Sequence, residues 1–280
     1  MLGGLISLAL GACIYSVVQG MRVRRSVPRL PLAEGDAFGC TGEGSRQIRL
    51  LVVGDSSAVG MGVARFSESL APRIAAQYSQ LADCSTHWFV YGKSGATAED
   101  LCRLLSAQPR GALTADVVVV AIGVNDVLRL RSHWRWRRGL AALLKILRAE
   151  SGCRLVLVSP LPPLWKFRSL PVPLRLLLGL HAMTLNQVSH LWARRSTGVI
   201  HMHIPLPDPR AMLGSDGFHP SAAGYAQWAS CVVAAMLRHD WLSGTASSVH
   251  DDSMRRLRVQ AQDVMAAVRE SNDNRICSTR

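Results

Sequence analysis

The sequence predicts an α/β protein in which a mostly parallel sheet is covered on both faces by helices. Three observations carry that expectation. Short apolar runs alternate with longer helical stretches from residue 48 to residue 241, the pattern of successive βαβ units. The central run, "DVVVVAIG" (Asp116–Gly123), is continuous and β-branched, as a strand buried on both faces requires. Hydrophobic residues make up 49% of the 280, enough to fill a sizeable core.

The elements follow in order. "IRLLVV" (Ile48–Val53) is the first strand pattern, followed by a Gly-rich turn and a helical stretch over Phe66–Leu81. "HWFVYG" (His87–Gly92) is the second strand, with a helix from Thr97 to about Leu105. The Asp116–Gly123 strand leads to a helix at about Trp134–Glu150, and "RLVLVS" (Arg154–Ser159) is the fourth strand. Leu174–Arg195 reads as helix, "GVIHMHI" (Gly198–Ile204) as the fifth strand, and Ala222–Trp241 as the last long helix. A domain is thus expected over 47–242. Before it, residues 27–46 are rich in Pro, Gly and polar residues and read as a linker. After it, 243–280 form a polar tail in which Met254, Leu257, Val264, Met265 and Val268 lie on a loose helical stripe.

The first 21 residues carry no charge, and Arg22, Arg24 and Arg25 follow them. About 20 apolar residues suffice to span a bilayer, and positive charge after the span places the rest of the chain on the cytoplasmic side. Residues 1–26 are therefore expected to be a transmembrane anchor, with the domain membrane-anchored and facing the cytoplasm. The seven cysteines (Cys13, Cys40, Cys84, Cys102, Cys153, Cys231 and Cys277) show no CxxC spacing, which argues against a zinc site or a disulfide framework and for reduced thiols. Net charge is +13, from 32 Lys and Arg against 19 Asp and Glu. That balance suits an acidic partner without selecting one.

In an open α/β sheet, ligands bind beyond the carboxyl ends of the strands. The turns there are Gly54-Asp55-Ser56-Ser57, "GKSGAT" (Gly92–Thr97), Gly123-Val124-Asn125-Asp126 and "SDGFHPS" (Ser215–Ser221). The first is not a P-loop, because Val63 and Ala64 follow Gly62 where Lys and Ser/Thr belong. It lacks the third glycine of a dinucleotide fingerprint, since Arg65 stands there, and Ala58 breaks the GxSxG elbow. What fits is a serine at a strand-to-helix turn. Ser56 needs a base to become a nucleophile, and His219 supplies one, with Asp216 three residues earlier to orient the imidazole. Gly95 offers an unobstructed backbone N–H, Asn125 a side-chain amide, and Ser56 its own N–H, for an oxyanion. Taken alone, each turn has a plainer reading: a tight turn at Ser56, a helix cap at Asn125 and Asp126, core or surface histidines at His201 and His203. Their conjunction, each at the end of an expected strand (the first, second, third and fifth), is what points to acyl transfer.

With those four blocks in place, the sequence resembles the SGNH, or GDSL, hydrolase family over roughly residues 47–240. "GDSS" carries Ser56, "KSGAT" carries Gly95, "GVND" carries Asn125, and "DGFHP" carries Asp216 and His219. The resemblance implies a flavodoxin-like three-layer α/β/α fold with a five-stranded parallel sheet. It also implies hydrolysis of esters or thioesters with no metal and no organic cofactor. Ser57 stands where the family motif usually has Leu, beside the nucleophile and not in its place.

Two stretches flank the expected site. "RLRSHWRWRRG" (Arg129–Gly139) interleaves Trp134 and Trp136 with five arginines, and Pro160–Leu180 is apolar with Lys166, Arg168 and Arg175. Trp and Arg together suit a bilayer interface, so a collar against anionic lipid is expected; the plainer alternative has the arginines on a solvated helix face and the leucines in the core. The expected partners are a small-molecule acyl ester and a membrane, not nucleic acid, and no oligomeric state is implied. The alternatives are a carbohydrate O-deacetylase of the same fold and a non-catalytic lipid- or glycan-binding module.

Overall fold

The computed structural model describes residues 30–239 together with Tyr15, Gln19 and Gly20. Its strands are β1 (Phe38–Thr41), β2 (Arg46–Gly54), β3 (Cys84–Gly92), β4 (Val117–Ala121), β5 (Leu155–Val158) and β6 (Val199–His201). The helices are α1 (Leu70–Ala82), α2 (Ala98–Ser106), α3 (Val124–Leu128), α4 (His133–Ser151), α5 (Leu174–Ala193), α6 (Pro209–Met212) and α7 (Ala222–Arg238). The sheet order is β1-β3-β2-β4-β5-β6, with β3 through β6 mutually parallel and β1 antiparallel to β3. The five parallel strands follow the flavodoxin-like order, whose reversal of direction falls between β2 and β4.

Side-chain alternation decides which helices cover which face. Leu50 and Val52 of β2 join Val117 and Val119 of β4 in a core with α1 and α7. Leu51 and Val53 join Val118 and Val120 in a second core with α2, α4 and α5. Every residue of β4 is buried, because neither face of a central parallel strand meets water.

The sixth strand lies where the sequence reads as linker. Phe38–Thr41 is short, half-exposed and interrupted by Gly39, so it has no strand signature. It pairs through contacts distant in sequence, Phe38 against Phe89 and Gly39 against Trp88. Gly39 is required there, since a Cβ would stand 2.5 Å from the Trp88 ring.

The arginine–tryptophan stretch is taken up by the fold. Trp136 is a core residue, its indole N–H shared between Ser189 Oγ at 2.9 Å and Leu185 O at 3.2 Å. Arg135 forks onto Glu99 with two contacts of 2.8 Å, and Arg131 lies 3.8 Å from the same carboxylate. Arg137 stacks over the exposed Trp134 ring at 5.3 Å. In the second stretch Leu161, Leu164, Phe167, Leu170, Leu174 and Leu178 are buried. These residues mainly join α4 and α5 to the sheet, which is the plainer of the two expectations.

The membrane anchor and the cytoplasm-facing localisation are corrected by two findings. Among the described residues no helix is long and apolar enough to cross a membrane. Within the segment read as a span, Gln19 is buried against the domain: its amide donates to Val172 O at 2.8 Å and accepts from Leu174 N at 3.3 Å. An amide so placed caps the first turn of α5, which Pro173 cannot cap with a side chain. The rest of 1–26, Cys13, and the tail with Cys277 lie outside the described residues; the other five cysteines are free thiols.

Trp136 and Trp134 are two residues apart and differ in almost every physical respect. Trp136→Ala is expected to lower stability by about 3–5 kcal/mol through loss of burial and a residual cavity. Trp134→Ala is expected to change it by less than about 1 kcal/mol. Urea unfolding midpoints of the two variants measure the contrast, and equal shifts would contradict this packing.

Candidate active site

Strand β2 ends at Gly54, which only glycine can fill. A Cβ there would stand 2.0 Å from Ala121 O, at the end of β4. The Asp55 N–H donates to that same Ala121 carbonyl at 3.0 Å. The chain then coils tightly: Ala58 N and Val59 N donate to Asp55 O, and Met61 N donates to Ser56 O at 3.0 Å. Ser56 thus sits on the first turn above the carboxyl edge of the sheet. Gly62, part of the glycine pattern that failed as a phosphate loop, serves close approach. Its φ is +105°, and a Cβ would stand 2.2 Å from Pro220 O and 3.1 Å from the His219 Cβ.

The structure brings Ser56, His219 and Asp216 together. His219 Nε2 lies 3.1 Å from Ser56 Oγ, and His219 Nδ1 lies 2.6 Å from Asp216 Oδ2. An ionised carboxylate only accepts, so the proton belongs on Nδ1 and Nε2 is left to accept from the serine hydroxyl. The other oxygen of Asp216 accepts from Phe218 N at 2.9 Å and His219 N at 3.0 Å. Burial alone would raise this carboxyl. The bonds from His219 and the two backbone N–H groups outweigh it and hold Asp216 below its ordinary value. The loop is braced from outside, where Ser169 Oγ donates to Gly217 O at 2.8 Å and Phe167 meets the Phe218 ring edge-on.

The two other expected residues stand on neighbouring turns. Asn125 is in the first turn of α3, and its Nδ2 donates to Asp55 Oδ2 at 3.3 Å. Gly95, at φ +76°, lies in the loop between β3 and α2; Lys93 N ties that loop to Gly54 O at 3.1 Å, and Thr97 caps α2 in a capping box. Two residues that follow Asn125 secure the same loop. Asp126 Oδ2 accepts from Ala98 N at 3.0 Å, and Arg129 donates to Gly95 O at 3.0 Å while facing Asp100 at 3.5 Å.

Sequence reasoning passed over Asp55, Asp126, Arg129 and Tyr225. Asp55 looked like turn punctuation, yet it is buried and accepts from both Asn125 and Ser57 N. Burial pushes its carboxyl up to about 6, against the pull of Ser57, His219 and Asn125. Burial likewise pushes Asp126 up to about 6, with Ala98 N–H and Arg131 opposing and Asp55 and Glu99 adding to the rise. Tyr225, in the core under the site, donates to Met61 O at 2.7 Å and reaches Ser57 O at 3.0 Å. Only Asp126 had a signal, as a helix cap, and the helix it caps is α2 and not its own. His201 sits on β6 edge-on to His190, with burial and His190 pulling it down to about 4. Among the described residues no group of three or more His, Cys, Asp or Glu side chains is placed to hold a metal ion.

A flavodoxin-like sheet with a hydrogen-bonded Ser–His–Asp set at its switch point defines the class, that of the α/β proteins with serine-hydrolase geometry. Residues 52–227 match the GDSL-like lipase/acylhydrolase family, and the chain belongs to that family. It is 28% identical over 199 residues to the GDSL-like esterase Rv1075c of Mycobacterium tuberculosis. That match covers 68% of this chain and 62% of the relative, so the chain spans less than two thirds of the relative's length. Among solved structures it is similar to the lipase Lip_vut3 from a goat rumen metagenome, with a TM-score of 0.54 at 18% identity over 67% of this chain and 97% of that one. It is also similar to the lipase/acylhydrolase from Enterococcus faecalis, with a TM-score of 0.50 at 20% identity over 68% and 95%. At these identities the two structures share its fold.

Asp126 makes a pH prediction with a definite sign. Its folded value of about 6 exceeds the ordinary 3.8, so the native state holds the proton longer than the unfolded chain does. Stability from this group is therefore lost as pH rises from about 4 to about 6. Asp126→Asn removes that dependence, and the variant is expected to gain on the wild type between pH 4 and pH 7. Urea unfolding at the two pH values measures it; a variant that loses ground as pH rises would show the carboxylate charge to be net stabilising.

Proposed function

We propose that the protein is a serine hydrolase that cleaves carboxylic esters or thioesters through an acyl-enzyme on Ser56. One observation carries the reading: His219 stands between the Ser56 hydroxyl at 3.1 Å and the Asp216 carboxylate at 2.6 Å, with its two nitrogens divided between them. Membership of the GDSL-like family supports it, as does the similarity to a mycobacterial protein named as an esterase.

In the first step Ser56 Oγ attacks the substrate carbonyl carbon and its proton passes to His219 Nε2. The carbonyl electron pair moves to oxygen, and the oxyanion accepts hydrogen bonds from the Ser56 and Gly95 backbone N–H groups and from the Asn125 amide. Collapse of this intermediate expels the alcohol or thiol, which takes the proton from His219. Water then attacks the acyl-enzyme, giving its proton to His219, and release of the acid restores Ser56–OH. Asp216 keeps the imidazole oriented and stabilises it while it is positively charged.

The acyl side of the substrate is proposed to be aliphatic. Leu128 and Leu130, which closely follow Asn125, are exposed, and α3 packs against α5, which exposes Leu176, Leu177 and Leu180. Apolar side chains exposed on the segment that carries Asn125 and on the helix packed against it suit an acyl chain better than a sugar hydroxyl face.

Labelling with a fluorophosphonate serine probe tests the reading. Wild type and Ser57→Ala are expected to label and Ser56→Ala not to, with the turnover of a model ester by Ser56→Ala down by about 10⁶-fold. Labelling that survives in folded Ser56→Ala, or a folded wild type that neither labels nor hydrolyses esters, would overturn it.

A further inference from the structure

Asp55 lies between the nucleophile turn and the turn that carries Asn125, and its two oxygens serve one each. Oδ1 accepts from Ser57 N at 3.1 Å, which closes a turn around Ser56. Oδ2 accepts from Asn125 Nδ2 at 3.3 Å, across 70 positions of sequence. The side chain is buried, only 3% exposed, in a core position where a carboxylate has little solvent to stabilise it.

A primary amide presents a donor end and an acceptor end of nearly the same shape, and only its hydrogen-bond partners decide which end faces where. For an oxyanion hole that choice is decisive, because the carbonyl end of Asn125 would repel the charge that the NH₂ end stabilises. An ionised carboxylate has no proton to donate and can face only the NH₂ end. One N–H of Asn125 then points to Asp55, and the other is left for the oxyanion.

We propose that Asp55 is a positioning residue whose acceptor-only carboxylate sets the orientation of the Asn125 amide while pinning the Ser56 turn. The inference rests on the hydrolase reading given above. Asp55→Asn should invert the arrangement without changing its shape. Ser57 N–H still requires an acceptor, so the new carbonyl takes that side and the new NH₂ faces Asn125. Asn125 must then turn its own carbonyl toward residue 55, and the donor it held for the oxyanion is lost.

The test is a double-variant cycle on the full chain with p-nitrophenyl butyrate, folding being checked by thermal melting. Asn125→Ala is expected to lower kcat by about 10²–10³-fold, as loss of one oxyanion donor does. Asp55→Asn is expected to lower kcat to a similar extent with little change in KM. The double variant should lose nothing further, because both substitutions remove the same donor. Asp55→Asn within threefold of wild-type kcat, or a double variant tenfold or more below Asn125→Ala, would overturn the proposal. Either result leaves the hydrolase reading standing, whereas a folded wild type with no ester turnover removes that reading first.

A second measurement needs no substitution at residue 55. Burial holds the Asp55 carboxyl up at about 6 even with His219, Ser57 and Asn125 drawing it down, and Asp126 and Tyr225 also face it. Protonated Asp55 can donate, and its grip on the amide orientation is then lost. The ratio of wild-type to Asn125→Ala kcat, in which pH effects common to both enzymes cancel, should therefore fall toward one as pH drops through about 6. A ratio that stays flat from pH 5 to pH 8 would overturn the proposal.

Discussion

The site depends on the close approach of β2 and β4 at the point where the sheet reverses its direction of growth. Gly54 and Ala121 face each other across that line, and there is no room between them for a single methyl group. Beyond it the two strands hand their chains to α1 and α3, on opposite faces, and a crevice opens as it must at a topological switch point. Ser56 leaves one lip of the crevice and Asn125 the other. The third contributor, the loop of Gly95, is fastened to the same spot by Lys93 N on Gly54 O. The geometry of the proposed catalytic groups is thus inherited from sheet register, the stiffest feature of the fold. Loops supply only the last few ångströms.

Three carboxylates gather in this region, and their surroundings push them apart. Asp216 receives bonds from an imidazole and two backbone N–H groups, and stays ionised well into the acid range. Asp55 and Asp126 are buried with fewer donors, repel one another, and hold their protons up to about 6. The difference matches their positions. In the proposed mechanism Asp216 stays charged while His219 carries a proton, and its three donors favour that state. Asp55 and Asp126 face amides and backbone N–H groups, where what is needed is an acceptor of fixed direction. Both roles use the same functional group, and burial with donor count separates them.

The parallel strands and the four strand-end turns were legible in the sequence because they are local patterns. A β-branched run such as Val117–Val120 announces a buried strand, and Gly-Asp-Ser at its neighbour's end announces a turn. What escaped was set by partners far away in the chain. Phe38–Thr41 becomes a strand only because β3 offers an open edge and Gly39 fits beneath Trp88. Trp136 and Trp134 look alike in a helix of arginines, and only the position of α5 sends one indole N–H to Ser189. Residues 1–26 look like a membrane span by composition, and composition could not foresee that Gln19 docks on the backbone of α5. Asp55 was in plain view, but its use depends on an asparagine 70 positions away.

The excess of positive charge bears on function through those same contacts. A net charge of +13 invites a search for an anionic partner, and the arginine-rich turn into α4 is the obvious place to look. Yet Arg131 and Arg135 converge on Glu99, and Arg129 on Asp100, the two acidic residues of the first turn of α2. Carboxylates there already gain from the positive end of the helix dipole, so the arginines complete a local balance. The mechanical result matters more than the modest energy of exposed ion pairs. Helix α2 begins directly after the Gly95 loop, and these contacts, with Asp126 on Ala98 N, hold its first turn against the segment that carries Asn125. Two of the proposed oxyanion donors come from strands separated by β2, and their spacing has to survive thermal motion. The arginines that seemed to advertise a ligand act as the brace between them.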